Sequence, residues 1–327
     1  MCDPEWMAMT KGARKILKDC VSLKEGEKLL IVTDPPLKKI AQILAHVAHE
    51  FGIEPIIEII PPRERDGQEP PSSVAKVMKN SDVIICPVSI SITHTNAVKE
   101  AVAMGTRILV MTAFTKDLMI RGGIEADFKA QKPICEKLAQ LFSEAEIVHL
   151  KNPAGTDLML NVKGQRGNAL TCIVEPGQFS TFPTIEANIS PIVGTSEGLI
   201  VADASVPYLG IGLLKEPISF KVNKGFITEI KGGYQAEILK RELGAKEDPT
   251  VYNIAELGVG LNPKCKMTGV MLDDEGVLGS AHIGIGSNIT LGGNLKASIH
   301  YDLVLWHPTI KLDGSLIIKK GKILFSL

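Results

Sequence analysis

Two histidines and a group of acidic residues in the last third of the chain define the chemistry to look for. His300 and Asp302 flank Tyr301 in the apolar run KASIHYDLVLW. Alternate residues of a strand share a face, so this imidazole and this carboxylate would stand side by side. Such a pair is half a site for Zn²⁺, Mn²⁺, Co²⁺ or Fe²⁺. A simple His–Asp hydrogen bond at a strand end is the competing reading. His282 lies in GSAHIGIG, where the glycines permit close backbone approach. Alone it would be a core histidine in a bulged strand. Taken with His300 and Asp302, it matches the two-histidine, one-carboxylate pattern of non-haem iron, and equally half of a two-metal hydrolase site.

Three glutamates extend the set. Glu256 sits in AELGVGLN, an apolar, glycine-spaced segment where a carboxylate is costly to bury unless it is paired or metal-bound. Asp273, Asp274 and Glu275 precede His282 by one short turn. Three acids in a row suggest a solvated loop, with Glu275 the one expected to point inward. Glu186, in PTIEANISP, reads on its own as a loop carboxylate.

The elements that must carry these residues fall into two patterns. Short apolar runs at 28–33, 54–60, 81–87 and 107–112 are separated by helical periodicity around 37–48, 74–79 and 94–104, with helices filling much of 113–143. Strands without internal alternation, joined by helices, predict an open, doubly wound, mostly parallel sheet. No GxGxxG follows the first strand and no GxxxxGK[ST] occurs, so the phosphate cradles of dinucleotide and P-loop proteins are missing. From about residue 146, short apolar segments alternate with turn residues, and one helix is expected near 236–243. The fold class expected is therefore α/β: an N-terminal Rossmann-like domain over 1–145, then a mostly antiparallel, β-rich metal-binding domain over 146–327, with the site in a cleft.

Composition narrows the partners. The 327 residues carry 36 basic and 37 acidic side chains, for a formal charge of -1. That balance argues against nucleic acid, and Lys319, Lys320 and Lys322 read as a solvated strand end. No apolar stretch approaches the length of a membrane span and no signal peptide is visible, so no membrane partner is expected. Six scattered cysteines without a CxxC pair suggest a reduced, cytoplasmic protein.

Taken in order, these segments resemble the aminopeptidase T family of metallopeptidases. The matching stretches include EPPSSVAKVMKNSDVII, ITHTNAVKEAVAMGTRI, EANISPIVGTSEG, AELGVGLNP, DDEGVLGSAHIGIG and HYD. The resemblance implies two divalent ions (zinc, cobalt or manganese) held by Glu186, Glu256, Glu275, His282, His300 and Asp302. It implies a leucyl-aminopeptidase-like enzyme acting on short peptides, with Glu186 or Glu256 as general base, and a homodimer. Peptidase members carry a ligating tyrosine seven residues after the first histidine; Ile289 stands there in this chain. One branch of the superfamily, the 2,5-dihydroxypyridine 5,6-dioxygenases, uses a single Fe(II) on a His, His-x-Asp triad, which His282, His300 and Asp302 also match. In that alternative His94 or Arg63 would bind a small-molecule substrate. A second alternative is a non-catalytic metal-binding homologue.

Overall fold

The computed structural model describes residues 4–93 and 95–327. It divides into two compact units: residues 1–132 with 170–183, and residues 133–169 with 184–327. Neither is a continuous stretch of chain, unlike the division at 145/146 read from the sequence. The boundary runs through one helix, at Lys132/Pro133, and the chain returns to the first unit for 170–183 before leaving it again.

The first unit is built on five strands, β1 (Leu29–Thr33), β2 (Ile56–Ile59), β3 (Val83–Val88), β4 (Arg107–Thr112) and β8 (Phe179–Thr181). They pair in the order β2-β1-β3-β4-β8, all parallel. Strands β1, β3 and β4 are buried along their whole length, which is why their sequences show no alternation. Helices α1 (Pro4–Lys15), α2 (Lys38–His49), α3 (Ser72–Met78), α4 (Asn96–Ala103) and α5 (Lys116–Ile120) accompany them, and α6 (Phe128–Glu144) contains Pro133. A core of Leu30, Val32, Ile84, Cys86 and Val110 packs with Val74, Met78, Val98 and Ala101 of α3 and α4. Gly52 after α2 and Gly105 after α4 adopt left-handed φ values of 73° and 93°, so glycine ends both helices at no steric cost. The amides at the start of α4, a natural place for a phosphate, are already taken: Asn96 and Ala97 donate to the carboxylate of Glu69 at 2.6 and 3.2 Å.

The second unit contains two antiparallel sheets. One has eight strands: β5 (Ile147–Lys151), β6 (Asp157–Asn161), β10 (Glu197–Ala202), β13 (Ile218–Asn223), β14 (Phe226–Lys231), β18 (Thr309–Leu312), β19 (Ser315–Lys319) and β20 (Lys322–Ile323). The other has seven, ordered β12-β11-β17-β16-β15-β9-β7. Its members are β7 (Gly167–Leu170), β9 (Glu186–Ile189), β11 (Ser205–Val206), β12 (Gly212–Leu213), β15 (Ile254–Gly260), β16 (Ser280–Gly286) and β17 (His300–Trp306). Besides the part of α6 from Pro133 onward, the unit contains α7 (Tyr234–Gly244), over the expected segment, and the short α8 (Met271–Asp274). The fold class is thus the one the sequence predicted, a parallel α/β sheet followed by β-rich antiparallel structure. Among the described residues no helix is long and apolar enough to cross a membrane.

Candidate metal centre

The seven-stranded sheet brings Glu186, Glu256, His282, His300 and Asp302 onto adjacent strands. Glu186 opens β9, Glu256 lies in β15, His282 in β16, and His300 and Asp302 in β17. Register explains how so many large polar side chains share one area. Each faces a glycine across the ladder: Glu186 opposite Gly260, Glu256 opposite Gly284, His282 opposite Gly258, His300 opposite Gly286 and Asp302 opposite Gly284. Cross-strand neighbours are only about 5 Å apart, so a bare neighbour gives each side chain room to lean over it. At all four glycines a side chain would collide, at Gly260 and Gly286 with backbone oxygens 2.4 and 2.3 Å away and at the other two with the cluster itself. A Cβ on Gly258 would lie 2.0 Å from His282 Nε2, and one on Gly284 would lie 2.8 Å from both Glu256 Cβ and His300 Cε1.

The resulting cluster is dense in charge and almost dry. Glu186, Glu256, Glu275, His282 and Asp302 are buried, and His300, with 23% of its side chain exposed, is the most accessible member. His300 Nε2 lies 3.0 Å from Glu256 Oε2 and 3.6 Å from Asp302 Oδ1. His282 Nε2 lies 3.5 Å from Glu186 Oε2 and 3.9 Å from Glu256 Oε1. Two trios have ligand atoms within 4.8 Å of one another: Glu186, Glu256 and His282, and Glu256, His300 and Asp302. Glu256 belongs to both. Among the described residues, His282, His300 and Asp302 do not by themselves form a trio at that spacing.

The electrostatics show what the cluster lacks. Burial works against a charged His300, but the Asp302 and Glu256 carboxylates outweigh it and hold the imidazole well above its ordinary range. His282 behaves alike: burial is overcome, chiefly by Glu186, and its value rises to about 9. Burial lifts Glu186 to about 7 and, with Asp302 beside it, raises Glu275 well above the carboxylate range. Burial also opposes ionisation of Glu256 and Asp302, but the histidines prevail and both are lowered. Four carboxylates surround two imidazoles, so the site attracts positive charge.

The donor set fits a metal ion. His300 Nδ1 donates to the carbonyl oxygen of Ser287 at 2.7 Å, so Nε2 is the nitrogen that faces Glu256 and Asp302. The raised value of the ring means that Nε2 holds a proton when no metal is bound; a metal ion would replace that proton and take the Nε2 lone pair. Asp302 Oδ1 is buried without a hydrogen bond, as an oxygen reserved for such an ion would be, and Glu186 Oε2 is likewise buried and unbonded.

Several neighbours went unread in the sequence. Asn188 donates from Nδ2 to Glu186 Oε1 at 2.9 Å and accepts at Oδ1 from Asn168 Nδ2 at 3.0 Å, steering that carboxylate. Its place two residues after Glu186 on the same strand face is the signal that could have found it. Tyr208 Oη donates to Asp302 Oδ2 at 2.6 Å and lies 3.3 Å from Glu275 Oε1. The acidic run is not the solvated loop expected. Asp273 and Asp274 are 2% and 0% exposed because they cap backbone amides: Lys266 donates to Asp273, and Thr268 and Gly269 donate to Asp274. Ile289, where the peptidases carry tyrosine, is 47% exposed in a short 3₁₀ turn. Of the two substrate-binding candidates, Arg63 spends its guanidinium on the carbonyls of Pro61 and Glu69, and His94 lies outside the described residues.

Comparison with known proteins separates the two enzyme readings. The model of the 2,5-dihydroxypyridine 5,6-dioxygenase family matches residues 8–325. A 2,5-dihydroxypyridine 5,6-dioxygenase of Pseudomonas putida KT2440 is 28% identical over 243 residues, spanning 70% of this chain and 68% of that one. Among solved structures, the 2,5-dihydroxypyridine dioxygenase from the same strain superposes with a TM-score of 0.83 at 20% identity, covering 97% of this chain and 96% of that one. AmpT from Thermus thermophilus reaches a TM-score of 0.70 at 16% identity, over 98% and 99% of the two chains, a likeness of fold alone. The aminopeptidase reading is thereby overturned. The family model that matches almost the whole chain and the curated relative both carry the dioxygenase description. The chain is a member of the 2,5-dihydroxypyridine 5,6-dioxygenase family.

Proposed function

We propose that the protein is a ring-cleaving dioxygenase that uses one Fe(II) to open a dihydroxylated pyridine or a closely similar aromatic diol. The observation that carries this reading is His300: its Nδ1 is tied to the Ser287 carbonyl, which leaves Nε2 facing Asp302 and Glu256 as the nitrogen available to a metal. With His282 these residues supply the two imidazoles and the carboxylate typical of mononuclear iron oxygenases, with Glu256 within 4 Å of both rings. Iron, when bound, supplies the oxygen chemistry that no side chain can provide.

The protein's own groups bind, orient and move protons. Glu186 Oε2 has no hydrogen bond, and Asn188 fixes its other oxygen, so this carboxylate is placed to take a proton from a ring hydroxyl. The near-complete burial of Glu186, Glu256 and Asp302 keeps water from competing for these atoms. The first experiment is iron analysis and oxygen uptake with 2,5-dihydroxypyridine. Purified protein should hold one iron per chain and consume oxygen with this substrate, and His300→Ala should lose both. Iron-loaded protein that takes up no oxygen with any dihydroxypyridine would refute the reading. Separate His282→Ala and Glu256→Ala variants would then identify the third ligand by iron content.

A further inference from the structure

Tyr208 reaches the centre from a part of the chain with no other role there. It lies in the five-residue connection, 207–211, between β11 and β12, where it opens a tight turn: Ile211 N donates to the Tyr208 carbonyl at 2.9 Å, and the central residues Leu209 and Gly210 have φ values of 59° and 70°. Two consecutive left-handed residues make the tight hairpin turn that suits twisted strands. Glycine accepts this backbone freely, whereas leucine does so only against the crowding of its Cβ with the carbonyl oxygen that follows. The turn is kept despite that crowding, and it fixes the backbone of Tyr208 at its first corner. Val206 accepts from the Tyr208 amide at 2.8 Å, and the Tyr208 ring packs on Tyr301 with centroids 4.7 Å apart at 33°. Backbone and ring are therefore both held, and the hydroxyl is delivered to a defined point.

At that point the hydroxyl meets Asp302 Oδ2 at 2.6 Å, the short distance of a bond to an ionised carboxylate. Oδ2 is thereby occupied, while Oδ1 has no hydrogen bond and faces His300 Nε2. A phenol has one proton, so donation to Asp302 leaves its own lone pairs toward Glu275 Oε1 at 3.3 Å. We propose that Tyr208 is the positioning residue of the metal centre, holding Asp302 by its outer oxygen so that only Oδ1 is offered to the ion. The proposal rests on the reading of Asp302 as a metal ligand. It assigns to this chain a tyrosine that works one step behind the ligands, whereas Ile289 occupies the position of the peptidases' ligating tyrosine.

The test is Co(II) and Fe(II) titration of Tyr208→Phe, which keeps the ring on Tyr301 and removes only the hydroxyl. Removing the partner that orients a ligand weakens metal binding by about 10- to 100-fold. Tyr208→Phe should show that loss, a changed visible spectrum of bound Co(II), and oxygen uptake restored by excess Fe(II). Tyr208→Leu, which also removes the ring, should bind no better than Tyr208→Phe. Wild-type affinity and an unchanged Co(II) spectrum in Tyr208→Phe would overturn the proposal, as would a loss confined to Tyr208→Leu, which would make the role one of packing. Failure of the wild-type protein to bind either ion would remove the metal reading and this proposal together. A hydroxyl-dependent Co(II) site in a protein without oxygenase activity would refute the dioxygenase reading alone.

Discussion

At the scale of single residues, the centre stores positive charge as protons whenever metal is absent, and pH should reveal it. His282 is held at about 9 against an ordinary 6.5. A folded-state value above the unfolded one stabilises the protein fully below pH 6.5, and that contribution disappears as pH rises through 9. It amounts to roughly 3 kcal/mol. Glu186, lifted by burial to about 7 from 4.5, acts in the same direction, because the folded state binds its proton more tightly between those values. Metal-free protein should therefore unfold at lower denaturant concentration at pH 9 than at pH 6, while affinity for a divalent ion rises over the same interval because ion and protons compete. A metal-free midpoint that is flat across this range would contradict the assignment. Glu256, His282, His300 and Asp302 were legible because each stands out in an apolar or glycine-rich run, whereas Glu186 read on its own as a loop carboxylate and Glu275 as part of an acidic run. Tyr208 was not, since PYLG is an ordinary turn sequence and its partners lie 67 and 94 residues away. Asp273 and Asp274 were misplaced because a row of acids does not reveal the amides it will cap.

At the scale of elements, the pairing of each ligand with a glycine is what allows the sheet to hold the site. Alternation along a strand placed His300 beside Asp302 from sequence alone. The register between strands was not legible, because nothing in AELGVGLN states that Gly258 will face His282. Gly258→Ala tests this geometry. A methyl group 2.0 Å from His282 Nε2 must displace the imidazole, whereas alanine itself suits a strand no worse than glycine. The variant should keep the circular dichroism of the wild type yet bind iron at least tenfold more weakly, a loss of about 1.4 kcal/mol. Undiminished iron affinity would show that His282 is not a ligand.

At the scale of the molecule, the alternating helices and strands of the first 145 residues revealed a parallel sheet, and the change of pattern after them revealed the antiparallel part. The interleaving of the units stayed hidden. Strand β8 has only three residues, too few for any periodicity, yet it supplies the fifth strand of the first sheet, with Ile108, Leu109 and Val110 paired to Phe179, Ser180 and Thr181. A fragment comprising residues 1–145 lacks that strand and leaves the edge of β4 bare, while β4 itself is buried along its whole length. It should aggregate on expression, whereas residues 1–145 joined by a short linker to 170–183 should be more soluble; equal solubility of the two would show that β8 is dispensable.

The same threading sets a timetable for the nascent chain. On the ribosome, β4 emerges with its outer edge unpaired and waits until residue 181 has been made. Ahead of residue 181, β5, β6 and β7, which belong to the other unit, leave the exit tunnel while later strands of their own sheets are still to be synthesised. Translation at about 5–20 residues per second turns those roughly seventy residues into seconds of exposure. The first unit to begin is thus not free to finish first, and for those seconds an open parallel edge and unpartnered antiparallel strands of one polypeptide coexist, a window in which a holding chaperone would find its substrate.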